Sequence, residues 1–319
     1  MFRFFVLLVL VSCSFGFLPK SKQAVAPLKA RSLQMAPAIV ANEIVGAMSP
    51  FSKEIAKSVL LPSSLALYKS EYGVSLGYGG SIAWLAWLVY KTSTEGTLHR
   101  LHCLIHMAYG IRLCAFLAFR EMTVARFREV KDRIEQRAPM NRLKRIPMIL
   151  SIALLYYTMS MPLFLTQVVP TAGTTKYMLI EKSLMVSAFG FALNFLGDTQ
   201  KYICKAMAPN KIVINGLYKY LRHPNYTGEL LLWGGSTVAG LIAASAMPEM
   251  TKCLIMKVSA SIVGFLGISF VLISAATGLE RRQRNKYKYN MSTSSTYTNW
   301  VKGSWPGPTW AEKPEKGLE

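Results

Sequence analysis

Six apolar runs divide the chain, at about 74–90, 101–119, 146–169, 177–196, 230–246 and 253–276. Each is long enough, or close to it, for a helix to cross a hydrocarbon core of about 30 Å. The first is short and rich in glycine (Gly73, Gly77, Gly79 and Gly80), which predicts tight packing or a bend. The second carries His102, His106 and Arg112, so one of its faces meets protein or water. The third contains Pro162, a predicted kink. The pattern predicts an all-α fold, a multi-span transmembrane helical bundle of about six spans.

The segments between the runs test that division. Arg126, Arg128, Lys131, Arg133, Arg137, Arg142, Lys144 and Arg145 follow the second run. Lys201, Lys205, Lys211, Lys219 and Arg222 follow the fourth, and Arg281, Arg282, Arg284, Lys286 and Lys288 the sixth. The other connections are short and poor in Lys and Arg. Basic and neutral loops therefore alternate, as an even number of spans with one positive face requires. Both ends of the mature chain then lie on the basic side.

Ahead of the first run the chain reads as a targeting segment. Residues 1–17 have the form of a secretory signal, with Arg3, a short apolar core and a small-residue zone. Residues 18–42 hold Lys20, Lys22, Lys29 and Arg31, and no acid precedes Glu43. With Phe15 or Phe17 near the cleavage point, this resembles the bipartite presequence of algae with secondary plastids. The expected destination is a plastid membrane; an ordinary secretory signal would instead give the endoplasmic reticulum membrane. A helical membrane domain is expected over 43–290 and an irregular tail over 291–319.

Mean hydropathy is +0.28 and the formal net charge is +21. A nucleic-acid binder of this charge does not carry several uninterrupted apolar spans, so membrane lipids are the expected partners and nucleic acid is not. Cys13, Cys103, Cys114, Cys204 and Cys253 show no paired spacing, which predicts small buried hydrophobes.

The polar motifs converge on the basic face. Asn194, Asp198 and Lys201 share one side if the fourth helix continues past its apolar run. The fifth run opens with Arg222-His223-Pro224-Asn225-Tyr226, and Glu229 follows within it. Pro224 suits a first helical turn, where its missing N–H costs nothing. Free N–H groups there, beside Lys219 and Arg222, favour an anion. The sixth run ends in Glu280-Arg281-Arg282, with Tyr287 and Tyr289 beyond. Taken singly, each piece has a plain explanation: a surface ion pair, a snorkelling Arg, an interfacial His or belt aromatics. Taken together they point to a built site, because Asn194 and Glu229 lie in or at the edge of apolar spans.

These residues resemble a known family. Asp198-Thr199-Gln200-Lys201, Gly216-Leu217-Tyr218, Arg222-His223-Pro224-Asn225-Tyr226-x-Gly228-Glu229 and Glu280-Arg281-Arg282 with Tyr287 are similar to the steroid 5-alpha-reductase-like membrane family, in its DUF1295 branch. Tyr109-Gly110-Ile111-Arg112-Leu113, Phe116-Leu117 and Arg120 fit the same branch. The resemblance covers roughly 101–290 and is most specific in its C-terminal half. It implies an oxidoreductase that binds NADPH and reduces a carbon–carbon double bond conjugated to a carbonyl in an apolar lipid, such as a steroid or polyprenol derivative. By matching positions, Asn194, Asp198, Arg222, Asn225, Tyr226, Glu229 and Arg281 would line the cofactor site, with Lys201 and His223 as additions. The family's substrate-anchoring Glu and Tyr have no match in the early spans. Tyr109, Tyr156 and Tyr157 are the candidates for a carbonyl-polarising acid. The branch's closing tail is replaced by 292–305.

Three other readings stay open. Arg-His-Pro-x-Tyr followed by Glu also resembles membrane methyltransferases, whose cofactor S-adenosylmethionine carries a carboxylate that Arg222 would suit. His99, His102 and His106 lie on one helical face that would suit a metal oxygenase, but the chain has only four histidines. Their plain explanation is interfacial placement and packing, and no metal is expected. A non-enzymatic membrane protein that retains the fold would tolerate replacement of Arg222 and Glu229.

Overall fold

The computed structural model describes residues 52–92, 96–137, 141–287 and 294–310. The expected signal (1–17) and basic stretch (18–42), together with Cys13, Lys288, Tyr289 and 311–319, lie outside the described residues. Among the described residues the secondary structure is helical, apart from one isolated parallel bridge between Leu221 and Trp305. Four helical stretches among the described residues are long and apolar enough to cross a membrane: Thr97–Thr123, Arg142–Leu165, Thr175–Met207 and Lys252–Tyr287. They fit an integral membrane protein. The expected first and fifth spans are helices of 17 residues (Leu76–Thr92) and 22 residues (Pro224–Ser245).

The chain divides into two compact units. One holds the described residues up to Ile180 together with Ala239–Gly264; the other holds Glu181–Val238 and the described residues from Phe265 onward.

The first unit begins with α1 (Lys53–Ser63), whose N-terminus is capped by Ser52: its hydroxyl accepts the Ile55 N–H at 3.3 Å. A short α2 (Ser70–Val74) precedes α3 (Leu76–Thr92), so the helix breaks at Ser75, and Gly77, Gly79 and Gly80 lie within the first turns of α3. α3 buries Ile82, Leu85, Ala86 and Val89. It crosses α4 (Thr97–Thr123) closely, since a Cβ on Gly79 would stand 2.8 Å from the Gly110 carbonyl oxygen. α6 (Ile146–Met159) ends three residues before Pro162 and α7 (Met161–Leu165) restarts the helix. That is the break expected from a residue with no N–H to donate.

Within the basic stretch after the second run, Ala125–Gln136 form α5, held by buried charges. Lys131 is buried and reaches Glu121 at 2.7 Å and Glu71 at 3.5 Å. Arg145, also buried, donates to Glu135 at 2.6 Å and to the Ala66 carbonyl at 3.1 Å. Glu135 in turn accepts the Ser70 backbone N–H at 2.9 Å.

Burial alone would raise the Glu135 pKa, but hydrogen bonds from Ser70 and Arg145 outweigh it and hold the carboxyl below its usual value of 4.5. Stability from this group is complete above that value and lost as pH falls through the lower folded-state pKa. Acid titration of thermal unfolding in detergent is therefore expected to show wild type losing more stability below about pH 4.5 than Glu135→Gln does. Equal losses would refute this assignment.

In the second unit, α8 (Thr175–Met207) crosses α10 (Pro224–Ser245) along a line of small residues. A Cβ on Gly235 would stand 2.6 Å from the Ser183 carbonyl oxygen, and the Ser187 hydroxyl donates to the Leu232 carbonyl at 2.9 Å. Such residues let two backbones approach where the lipid offers no hydrophobic drive between helices. α11 (Lys252–Tyr287) supplies its C-terminal part to this unit. The expectation of an irregular tail fails over α12 (Ser294–Gly303). Its Tyr297 and Trp300, three residues apart, bury one face against Tyr287, with Ile212 and Ile214 packed alongside.

Candidate functional site

α8 runs on past the end of its apolar run, so Asn194, Asp198 and Lys201 do stand on one continuous helix. The chain then returns to it. At Gly216 the backbone takes φ +57°, and a Cβ there would collide with the Gln200 amide. Gln200 holds the return from both sides: its Nε2 donates to the Asn215 carbonyl at 2.6 Å and its Oε1 accepts the Leu217 N–H at 3.1 Å. In α9 (Leu217–Tyr220) the Tyr218 hydroxyl donates to the Gly197 carbonyl at 3.1 Å. Burial pushes the Tyr218 pKa up, so it remains a donor. The backbone is extended at Leu221, and Pro224 opens α10 as expected.

Two amides stitch α10 to α8. Asn194 Nδ2 donates to the Asn225 carbonyl at 3.0 Å, and Asn225 Nδ2 donates to Asp198 Oδ1 at 3.1 Å. α11 closes the cluster with Glu280. One of its oxygens accepts from Arg222 Nη1 and the other meets His223 Nε2 at 2.8 Å. Arg222, His223 and Glu280 are 11%, 1% and 8% exposed, so the charges are largely withdrawn from water and depend on one another.

The C-terminal segment covers the same stretch. The Arg222 N–H donates to the Trp305 carbonyl, and the Trp305 N–H to the Tyr220 carbonyl, both at 2.9 Å. Trp300 Nε1 donates to the Tyr218 carbonyl at 2.6 Å. Gly307 lies against Thr227 and His223.

The cluster does not satisfy itself. Arg222 Nε and Asn225 Oδ1 are buried with no hydrogen-bond partner among the described residues. Folded proteins pair nearly all such atoms, so one donor and one acceptor left over mark a place where a ligand can pair. A guanidinium N–H suits a phosphate or carboxylate oxygen, and an amide oxygen suits a ribose hydroxyl or a carboxamide N–H. The residues present therefore fit a phosphate-bearing nucleotide.

The structure brings Asn194, Asp198, Arg222, His223 and Asn225 together in this cluster. Tyr226 is half-buried, with its ring edge-on to His223 at 6.0 Å between centroids. Glu229 is buried one turn into α10, and Lys201 is half-buried. Arg281 is not brought in. It is exposed, because the neighbouring Glu280 takes the inward direction and successive helical residues point about 100° apart. Glu280 is the member that the candidate set omits. Its signal is an acidic residue on a helix just past an apolar run.

The other candidates belong to the first unit. The Tyr109 hydroxyl donates to that of Tyr78 at 3.2 Å. Tyr156 donates to the Gly73 carbonyl at 3.2 Å and stacks on Tyr78 at 5.2 Å. His99 and His102 both use Nδ1 on the Thr166 hydroxyl, at 3.2 and 2.9 Å, and His106 Nδ1 meets the His102 carbonyl at 3.0 Å. Among the described residues no group of three or more His, Cys, Asp or Glu is arranged to hold a metal ion.

A family model described as "Protein of unknown function (DUF1295)" matches residues 66–299. No curated protein and no solved structure matches the chain.

Proposed function

This chain belongs to the DUF1295 family, and on that footing we propose that its second unit binds NADPH for the reduction of a carbon–carbon double bond in an apolar, enone-type lipid. The observation that carries this reading is the convergence of Arg222, Asn225, Asn194 and Asp198, in which Arg222 Nε and Asn225 Oδ1 keep unused pairing capacity. Arg222 would hold a phosphate oxygen through its Nε–H. Asn225, fixed through its amide nitrogen on Asp198, would accept from a hydroxyl or amide of the nucleotide. Glu229, Tyr226 and Lys201 supply further polar groups at the same helix ends. NADPH, when bound, supplies a hydride to one alkene carbon, while an acid or water delivers the proton to the other. The apolar helices among the described residues fit a protein embedded in the bilayer, the phase in which such a lipid would reside. On the presequence reading, that bilayer is a plastid membrane.

The test is thermal unfolding of the full chain in detergent with NADPH or S-adenosylmethionine. NADPH at about 100 times its Kd is expected to add about 2.7 kcal/mol. Arg222→Gln is expected to lose that response while Arg281→Gln keeps it. A response to S-adenosylmethionine alone would move the protein to the methyltransferase reading, since Arg222 Nε suits a methionine carboxylate equally well. No response of wild type to either ligand, with Arg222→Gln and Glu229→Gln melting like wild type, would favour a non-enzymatic role.

A further inference from the structure

We infer that Glu280 is a positioning residue of the second unit's ligand site, acting through Arg222 and His223. This rests on the reading of that cluster as a nucleotide site and deepens it. The Arg222 backbone is pinned by its pairing with Trp305, and its guanidinium is held at Nη1 by one Glu280 oxygen. Guanidinium is planar and rigid, so fixing one Nη also fixes the direction of the Nε–H edge, the edge that has no partner among the described residues.

The other Glu280 oxygen takes His223 Nε2 at 2.8 Å. An ionised carboxylate only accepts, so the ring donates from Nε2. One carboxylate thus sets the orientation of a cation and of an imidazole ring. Stability alone does not account for the arrangement, because a buried ion pair is often no more stabilising than apolar residues of the same volume. Glu280 instead keeps both partners aimed while partly neutralising them, so the site accepts an anion without being closed by its own charges.

Two measurements test this on the full chain in detergent. The first is NADPH affinity by calorimetry. Glu280→Gln is expected to weaken binding about tenfold or more, and Glu280→Asp, which keeps the charge, to restore part of it. The double variant Arg222→Gln/Glu280→Gln is expected to bind no more weakly than Arg222→Gln, because Glu280 works through the arginine. Additive losses would instead mean that Glu280 touches the ligand itself, and would overturn the assignment.

The second measurement needs no ligand. The chain has four histidines, three of them in α4, so a 15N-histidine spectrum isolates His223 readily. Its ring resonances are expected to shift in Glu280→Gln while the other three stay in place. An unmoved His223 overturns the assignment. If wild type binds neither NADPH nor S-adenosylmethionine, the nucleotide reading fails, and the His223 resonances still decide whether Glu280 orients the ring.

Discussion

Gly228→Ala is expected to open the crossing between α8 and α10 and to disperse the polar cluster built on it. A Cβ at position 228 would stand 2.5 Å from the Gly190 carbonyl oxygen and closer still to the Asn194 backbone nitrogen. Gly190 meets the same barrier in reverse, 2.5 Å from the Gly228 carbonyl oxygen and closer to the Leu232 nitrogen. Every atom met is backbone, so no side-chain rotation relieves the clash and the helices must move apart. Overpacking a tight core costs about 1–3 kcal/mol and at times more. Here the displacement also falls on Asn194, whose amide holds the start of α10. Melting temperature and the NADPH response should therefore fall together. Gly278→Ala is the matched control: a Cβ there meets nothing within 4 Å, and alanine favours a helix by up to about 1 kcal/mol. Gly228→Ala melting like Gly278→Ala would show that the crossing is not limiting.

Trp300→Ala should release the C-terminal segment from the site. Trp300 is 7% exposed, packs with Tyr287 and Tyr297, and donates Nε1 to the Tyr218 carbonyl. Truncation of such a buried aromatic costs about 3–5 kcal/mol. Because α12 leads directly into Trp305, its loss also frees the backbone pairing that fixes Arg222. Limited proteolysis is expected to cut the variant between 294 and 304, where wild type resists, with NADPH affinity reduced in parallel. A variant that resists the protease while losing affinity would place Trp300 in contact with the ligand.

The parts of this protein legible in its sequence are local. The break before Pro162 follows from one missing N–H, and the start of α10 at Pro224 from the same property used at a helix entrance. The continuation of α8 through Asn194, Asp198 and Lys201 needs only helical spacing. The apolar runs mark helices, and among the described residues four helical stretches have both the length and the composition to cross a membrane. The tail was less legible. Its aromatic residues are compatible with an interface, and only their fit against Tyr287 turns them into a buried face of α12.

Amino-acid order alone determined the helical membrane class, the basic segments between apolar runs and the stretch in which the polar residues gather. Each follows from hydropathy and period over neighbouring positions. The tertiary structure decided that Glu280 rather than Arg281 turns inward, that Asn225 bridges two helices, and that one Arg222 nitrogen is left without a partner among the described residues. Those outcomes depend on which face of one helix meets another, a rotation about the helix axis that distant contacts set.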